Sequence, residues 1–128
     1  MRSSIRNRFT VFVAVLAVAI LVVGVLATPA YAKSQPAKMK KIIRHVAHNY
    51  GLKKADIKAL ITLCKRESDF DPRERTGSCK GLFQLKTSFG RSRWTNPAWN
   101  TRRAIRYIKH RYGTATAALR HSNRYGWY

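Results

Sequence analysis

Acidic residues are scarce in this sequence. The 128-residue chain has only five aspartates and glutamates against 26 lysines and arginines, so its formal net charge is +21 at pH 7. Such an imbalance says more about binding partners than about fold, because a cationic surface attracts anionic polymers and acidic lipid headgroups. The chain has no recognisable motif for reading nucleic-acid bases, which argues against specific nucleic-acid binding.

Cysteine is even rarer, since the chain contains only Cys64 and Cys79. Two thiols in an oxidising compartment predict one disulfide. A zinc site would need two further ligands, and the histidines show no metal-type spacing to the cysteines. The four histidines are His45, His48, His110 and His121. We therefore expect a Cys64–Cys79 disulfide, no metal and no cofactor.

The N-terminal segment has the pattern of a secretory signal. Residues 1–8 carry three arginines and no acid, an apolar run follows from Phe9 to Ala27, and Ala30 and Ala32 form a small-x-small cleavage site. The run is longer than most signal cores, so an uncleaved membrane anchor is the alternative. In both cases we expect the rest of the chain outside the cytoplasm, secreted or at a cell wall.

The remainder reads as one small, mainly helical domain. Residues 33–38 are interpreted as a linker, and residues 39–128 as the domain. Apolar spacing predicts four helices, at residues 39–50, 54–67, 100–112 and 114–121. Residues 81–89 are interpreted as one or two helical turns, and residues 125–128 are expected to pack back on the domain. There are no internal repeats and no strand-type alternation.

Glu67 is the acidic residue whose position predicts chemistry. It continues the apolar stripe of Leu60 and Cys64, so its carboxylate projects from the buried side of the last helical turn. Partial burial and the negative end of the helix dipole both disfavour the charged form and raise the pKa. Such a carboxylic acid can donate a proton near neutral pH, as in glycosidic bond cleavage. The spacing leaves open a surface residue at a fraying helix end.

Three further acids, Asp69, Asp71 and Glu74, follow in a turn-rich loop beside several arginines. Turn formation, capping and pairing with those arginines are their expected uses. A Cys64–Cys79 bond would anchor both ends of this loop and hold Glu67 in a fixed relation to residues 81–84.

Two ordered motifs around Glu67 resemble those of the soluble lytic transglycosylase family, which has a lysozyme-like fold. The motifs are Glu67-Ser68, then Asp69-Phe70-Asp71-Pro72 and Gly77, and then Gly81-Leu82-Phe83-Gln84-Leu85. The likeness covers roughly residues 57–128. The compact size and single cysteine pair are similar to small secreted members of actinobacterial type.

The resemblance implies cleavage of the β-1,4 bond between N-acetylmuramic acid and N-acetylglucosamine in peptidoglycan. Glu67 would protonate the glycosidic oxygen and then, as a base, help the muramyl 6-hydroxyl close a 1,6-anhydro ring. One carboxylate suffices because the acetamido group of the substrate can stabilise the cationic centre. The resemblance also implies that Ser68 and Gln84 shape the site and contact sugar. Alternatively, Ser68 caps the helix and Gln84 binds loop backbone.

One segment departs from the family pattern. The family has an Ala-Tyr-Asn-x-Gly segment whose tyrosine lines the site, whereas this chain has no equivalent at residues 118–126. Tyr125 and His121 are the candidates for that position. The departure keeps a second hypothesis open, a catalytically inactive, cationic module that binds the cell wall. Expected partners are peptidoglycan strands and anionic wall polymers, bound by a monomer, and a muramidase-like hydrolysis remains an alternative outcome.

Overall fold

The structure is a computed structural model that describes residues 29–86 and 93–128, with side chains from residue 35 onward. Residues 1–28, which carry the basic and apolar parts of the predicted signal or anchor, lie outside the described residues. Within the described ranges, no helix is long and apolar enough to cross a membrane.

Four helices make up most of the described chain, so the predicted small, mainly helical domain is confirmed. They are α1 (Pro29–Asn49), α2 (Lys54–Ser68), α3 (Pro97–Tyr112) and α4 (Ala115–Tyr125). Helix α1 packs against α3, and α2 packs against α4. The largest fully buried side chains of the shared core are those of Phe83, Ile43, Leu60, Leu63 and Leu82.

The helix ends differ from the predicted ones for identifiable reasons. Helix α3 starts three residues early because the Asn96 side chain accepts a hydrogen bond from the Trp99 amide, with Pro97 in the first turn. Helix α4 extends past His121 to Tyr125, where Gly126 in the left-handed conformation ends it. The expected stop at Gly113 is confirmed.

The interpretation of residues 33–38 as a linker is wrong at the level of secondary structure. Helix α1 already begins at Pro29, so these residues are helical. Two lysines, one glutamine and one alanine in this stretch favour helix, and Pro36 lies inside the helix. The buried face of α1 then follows the predicted stripe, with Met39, Ile43 and Val46 in the core.

A small antiparallel sheet follows α2, in the order β1 (Arg75–Thr76), β2 (Cys79–Lys80) and β3 (Leu85–Lys86). A two-residue turn, Gly77-Ser78, joins β1 to β2 and confirms the predicted turn. The helical interpretation of residues 81–89 is wrong for residues 81–86, which form a turn and then β3. Residues 87–89 lie outside the described residues. Strands of two residues are too short to show alternation, so the sequence gives no signal for them.

The predicted Cys64–Cys79 disulfide is not present, and both cysteines are free. Cys64 is buried on the inner face of α2, where its Sγ atom lies 4.0 Å from Ser68 Oγ. Cys79 is half-buried on β2 in the wall of a cavity. A hydrogen bond from Ser68 Oγ to the Leu82 carbonyl links the end of α2 to the segment before β3.

Candidate active site

A cavity of about 410 Å³ lies at the C-terminal end of α2, beside the small sheet and the segment after α4. The described residues that line it are Glu67, Thr76, Cys79, Phe83, Gln84, Leu85, Lys86, Tyr107, Arg111, Gly126, Trp127 and Tyr128. Glu67 is the one acidic residue in this lining. The cavity therefore combines a single carboxyl group with aromatic walls and two cationic side chains.

Glu67 lies in the last turn of α2 and is half-buried. Burial disfavours its charged form and raises its pKa above the ordinary glutamate value, while the positive charge of Arg66 opposes the rise. The rise in the pKa of Glu67 agrees with the prediction from the sequence. A carboxyl group in this state can act as a proton donor at higher pH than an exposed glutamate.

The chain turns sharply directly after Glu67 and Ser68. Asp69 has a φ of 47° and Phe70 a φ of 67°, so two consecutive non-glycine residues adopt the left-handed conformation. The Asp69 amide donates to the Lys65 carbonyl and closes the helix. Left-handed backbone is uncommon for a bulky residue, and burial of the Phe70 ring in the core holds it there. The turn keeps Glu67 at the very end of α2.

Ser68 connects α2 to the segment before β3. Its side chain is buried, and Oγ donates to the Leu82 carbonyl at 2.9 Å and lies 3.2 Å from the Cys64 carbonyl. Ser68 is not among the described residues that line the cavity. Its hydrogen bonds fit the structural alternative, in which the hydroxyl positions backbone rather than touching sugar.

Gln84 does line the cavity, and its amide has two different environments. Nε2 donates to the carbonyls of Glu74 and Gly81, at 3.0 and 2.9 Å. These two acceptors fix the orientation of the amide, because a carbonyl can only accept. Oε1 is buried and has no hydrogen-bond partner among the described residues. Gln84 thus binds loop backbone through nitrogen and retains an acceptor on oxygen.

Gly81 and Asn100 hold this segment against α3. Gly81 has a φ of +81°, and a Cβ atom there would overlap the Asn100 amide and lie 2.7 Å from the Trp94 carbonyl oxygen. Asn100 is buried, and its Oδ1 accepts from the Phe83 amide at 3.0 Å. Sequence reasoning missed Asn100. The available signal was its helical spacing with Ala104, which places an amide on the buried side of α3.

Two tyrosines that the sequence did not single out form the cavity wall next to Glu67. The Tyr128 hydroxyl donates to the Phe83 carbonyl at 2.8 Å, and its ring packs edge-on against Tyr107 with centroids 6.1 Å apart. Burial raises the pKa of Tyr128 well above its ordinary value, and the negative charge of Glu67 raises it further. Burial also raises the pKa of Tyr107. Both phenols therefore remain neutral near pH 7.

Tyr125 and His121 lie elsewhere. Neither is among the described residues that line the Glu67 cavity, and both instead line a shallow depression with Arg120, Asn123 and Arg124. Tyr125 is 56% exposed. The expected packing of residues 125–128 against the domain is confirmed for Tyr128, which packs against the core and lines the cavity together with Glu67.

The other acids of the loop take part in turns. Asp71 Oδ1 accepts from the Arg73 amide at 2.8 Å, and Glu74 Oε1 accepts from the Arg75 amide at 3.1 Å. Neither these two residues nor Asp69 lines the cavity. The interpretation of Asp71 as a turn-forming residue is therefore confirmed, whereas Glu74, which was expected to pair with neighbouring arginines, accepts from a backbone amide.

Comparison of the chain with protein-family models, with curated proteins and with solved structures found no match. In the part of the chain that the structure describes, no group of three or more histidines, cysteines or acids is arranged to hold a metal ion. The function must therefore be argued from the Glu67 cavity and the motifs around it.

Proposed function

We propose that this chain is a lytic transglycosylase with a lysozyme-like fold, and that it cleaves the β-1,4 bond between N-acetylmuramic acid and N-acetylglucosamine in peptidoglycan. The observation that carries the proposal is the state of Glu67. It is a half-buried carboxyl group with a raised pKa, and it is the one acid in the described lining of a cavity of about 410 Å³.

Glu67 acts first as an acid and then as a base. Its carboxyl proton passes to the glycosidic oxygen as the bond from that oxygen to C1 of the muramyl residue breaks. The acetamido group of the same sugar stabilises the positive charge at C1. The Glu67 carboxylate then takes the proton of the muramyl 6-hydroxyl, whose oxygen bonds to C1 and closes the 1,6-anhydro ring. Glu67 ends protonated and no water is consumed.

A single carboxyl group is consistent with this sequence of steps. An enzyme with a carboxylate nucleophile needs a second acid about 5–5.5 Å from the first, and one that activates water for inversion needs a second acid farther away. The described lining contains Glu67 alone. This favours a mechanism in which substrate groups take the part of the second carboxylate.

The remaining wall residues orient the sugar and keep the site dry. Gln84 Oε1, buried without a partner in the described chain, accepts a hydrogen bond from a sugar hydroxyl or amide. The rings of Tyr107 and Tyr128 restrict water next to Glu67. Arg111 and Lys86 add positive charge at the cavity, which favours the anionic lactyl and peptide groups of peptidoglycan.

Release of muropeptides from purified peptidoglycan tests the proposal. We expect Glu67→Gln to lower the rate at least about a hundredfold, because the amide cannot donate or accept the proton. Glu74→Gln is the matched control, since Glu74 is half-buried but outside the described cavity lining. Undiminished release by Glu67→Gln would contradict the assignment of Glu67.

The mass of the products separates two chemistries. Anhydro-muropeptides are lighter by one water than the products of hydrolysis, so their presence supports a transglycosylase. Hydrolysed ends in their place would make the chain a muramidase-like hydrolase that uses the same acid.

A second candidate function is that of an inactive, cationic wall-binding module. The net charge of +21 favours it, because it attracts anionic wall polymers without any chemistry. This alternative predicts co-sedimentation with cell walls that weakens steeply with salt and no release of muropeptides by the unaltered chain.

A further inference from the structure

A patch of exposed aromatic rings lies where α4 ends. Tyr125 is 56% exposed and Trp127 is 50% exposed, which makes them the two most exposed large apolar side chains of the described residues. Their ring centroids are 6.4 Å apart. A single exposed apolar residue needs no explanation, but adjacent exposed rings form a surface suited to binding.

His121 holds the two rings in place. Its Nδ1–H donates to the Trp127 carbonyl at 2.8 Å, and its ring lies 4.6 Å from Tyr125 and 4.4 Å from Trp127, centroid to centroid. Gly126, in the left-handed conformation, turns the chain so that Trp127 returns beside α4. The patch is therefore preorganised, which lowers the entropy cost of binding.

Guanidinium groups surround these rings. Arg111 lies over the Trp127 ring at 5.4 Å from its centroid, and Arg124 lies over the Tyr125 ring at 5.9 Å. The adjoining depression of about 540 Å³ is lined by Arg120, His121, Asn123, Arg124 and Tyr125. This described lining contains several hydrogen-bond donors and no carboxylate, so its charge complements an anion.

We propose that this aromatic–arginine surface, formed by Tyr125, Trp127, Arg120 and Arg124, binds an anionic polysaccharide whose sugars carry carboxylates. Pyranose rings pack on the exposed parts of Tyr125 and Trp127, and the carboxylates pair with the arginines. Trp127 also lines the Glu67 cavity, so a bound strand passes from one to the other. The binding itself does not require cleavage by Glu67.

A polysaccharide fits this surface better than a nucleic acid. The N-terminal segment predicts export. The surface is also continuous through Trp127 with the cavity to which the proposed function assigns a glycan strand, so the choice of a polysaccharide rests on that function.

The test measures binding of labelled polygalacturonate by fluorescence anisotropy, with the full-length chain carrying Glu67→Gln so that no cleavage complicates the signal. In this background Tyr125→Ala and Arg124→Ala should each weaken binding about fivefold, the loss that corresponds to one stacked ring or one charge-assisted hydrogen bond. The matched controls are Arg44→Ala on α1 and Tyr50→Ala in the turn directly after it, where Tyr50 is 38% exposed. These should change affinity less than twofold.

Two other probes distinguish binding through the proposed surface from attraction by net charge alone. The methyl ester of polygalacturonate has the same rings without the charge and should bind far more weakly. A thymidine oligonucleotide of matched charge should bind more weakly than polygalacturonate and lose little with Tyr125→Ala. The proposal would be overturned if Tyr125→Ala and Tyr50→Ala weakened binding of polygalacturonate equally. It would also be overturned if the oligonucleotide bound more tightly than polygalacturonate and Tyr125→Ala weakened that binding. Circular dichroism confirms that each variant is folded.

Discussion

The Tyr128 hydroxyl donates a 2.8 Å hydrogen bond to the backbone carbonyl of Phe83. The amide of the same residue donates to Asn100 Oδ1 at 3.0 Å. Both backbone polar groups of Phe83 are therefore bound by side chains from distant parts of the chain. These two bonds fix the segment between Gly81 and β3, which forms part of the wall of the Glu67 cavity.

Removal of one hydroxyl tests the first of these bonds. We expect Tyr128→Phe to lower the free energy of unfolding by about 1 kcal/mol, because the carbonyl of the buried residue Phe83 loses its hydrogen-bond donor. Urea denaturation measures the change. Tyr125→Phe is the control, since Tyr125 is 56% exposed, and it should have almost no effect. Equal effects of the two variants would show that the Tyr128 bond contributes nothing.

Two glycines of the same loop should respond differently to alanine. At Gly81, φ is +81° and a Cβ atom would overlap Asn100, so we expect a loss of about 3 kcal/mol or more. At Gly77, φ is +58° but no atom lies within 4 Å of the added Cβ, so only the backbone cost of about 1 kcal/mol applies. Thermal and urea unfolding of both variants measure the difference. A Gly81→Ala variant as stable as Gly77→Ala would contradict the close packing against α3.

Helical spacing predicted the main features of the fold and the position of Glu67. The stripe through Leu60 and Cys64 correctly placed Glu67 at a partly buried position at the end of α2. The sheet could not be predicted, since each of its strands has only two residues. Tyr128 was missed because its place beside Glu67 depends on how the segment after α4 folds back, which no local pattern reveals.

The cysteines show why their number alone wrongly predicted a disulfide. Cys64 belongs to the same buried stripe as Leu60, so its side chain points into the core from α2. Cys79 follows a turn and enters β2. The number of residues between two cysteines does not determine whether their side chains meet.

The two thiols should differ in reactivity. Burial raises the pKa of Cys64 to about 12, so almost none of the reactive thiolate is present at neutral pH. Cys79 is half-buried in the cavity wall. We expect iodoacetamide to label Cys79 in the folded chain and both residues in denaturant, as measured by peptide mass mapping. A mass two hydrogens lower, with no labelling in denaturant, would indicate a disulfide and contradict the free thiols.

The raised pKa of Glu67 also predicts how stability depends on pH. Because burial raises the folded-state pKa above the unfolded value, the protonated group favours folding at low pH, and this contribution is lost as pH rises through the folded-state pKa. The Glu67→Gln variant lacks this dependence. Its stability relative to the unaltered chain should therefore increase as pH rises through that range, and a constant difference in urea midpoints would contradict the prediction.

The most direct test of the central claim is a carbon-13 NMR titration of the Glu67 carboxyl group, with its resonance assigned by its absence in Glu67→Gln. We expect a titration midpoint above that of a glutamate in an unfolded peptide, because burial disfavours the charged form. The rate of muropeptide release should fall as pH rises through the same midpoint, since Glu67 must be protonated to act as the acid. A Glu67 carboxyl group that titrates like one in free solution would contradict its role as the proton donor.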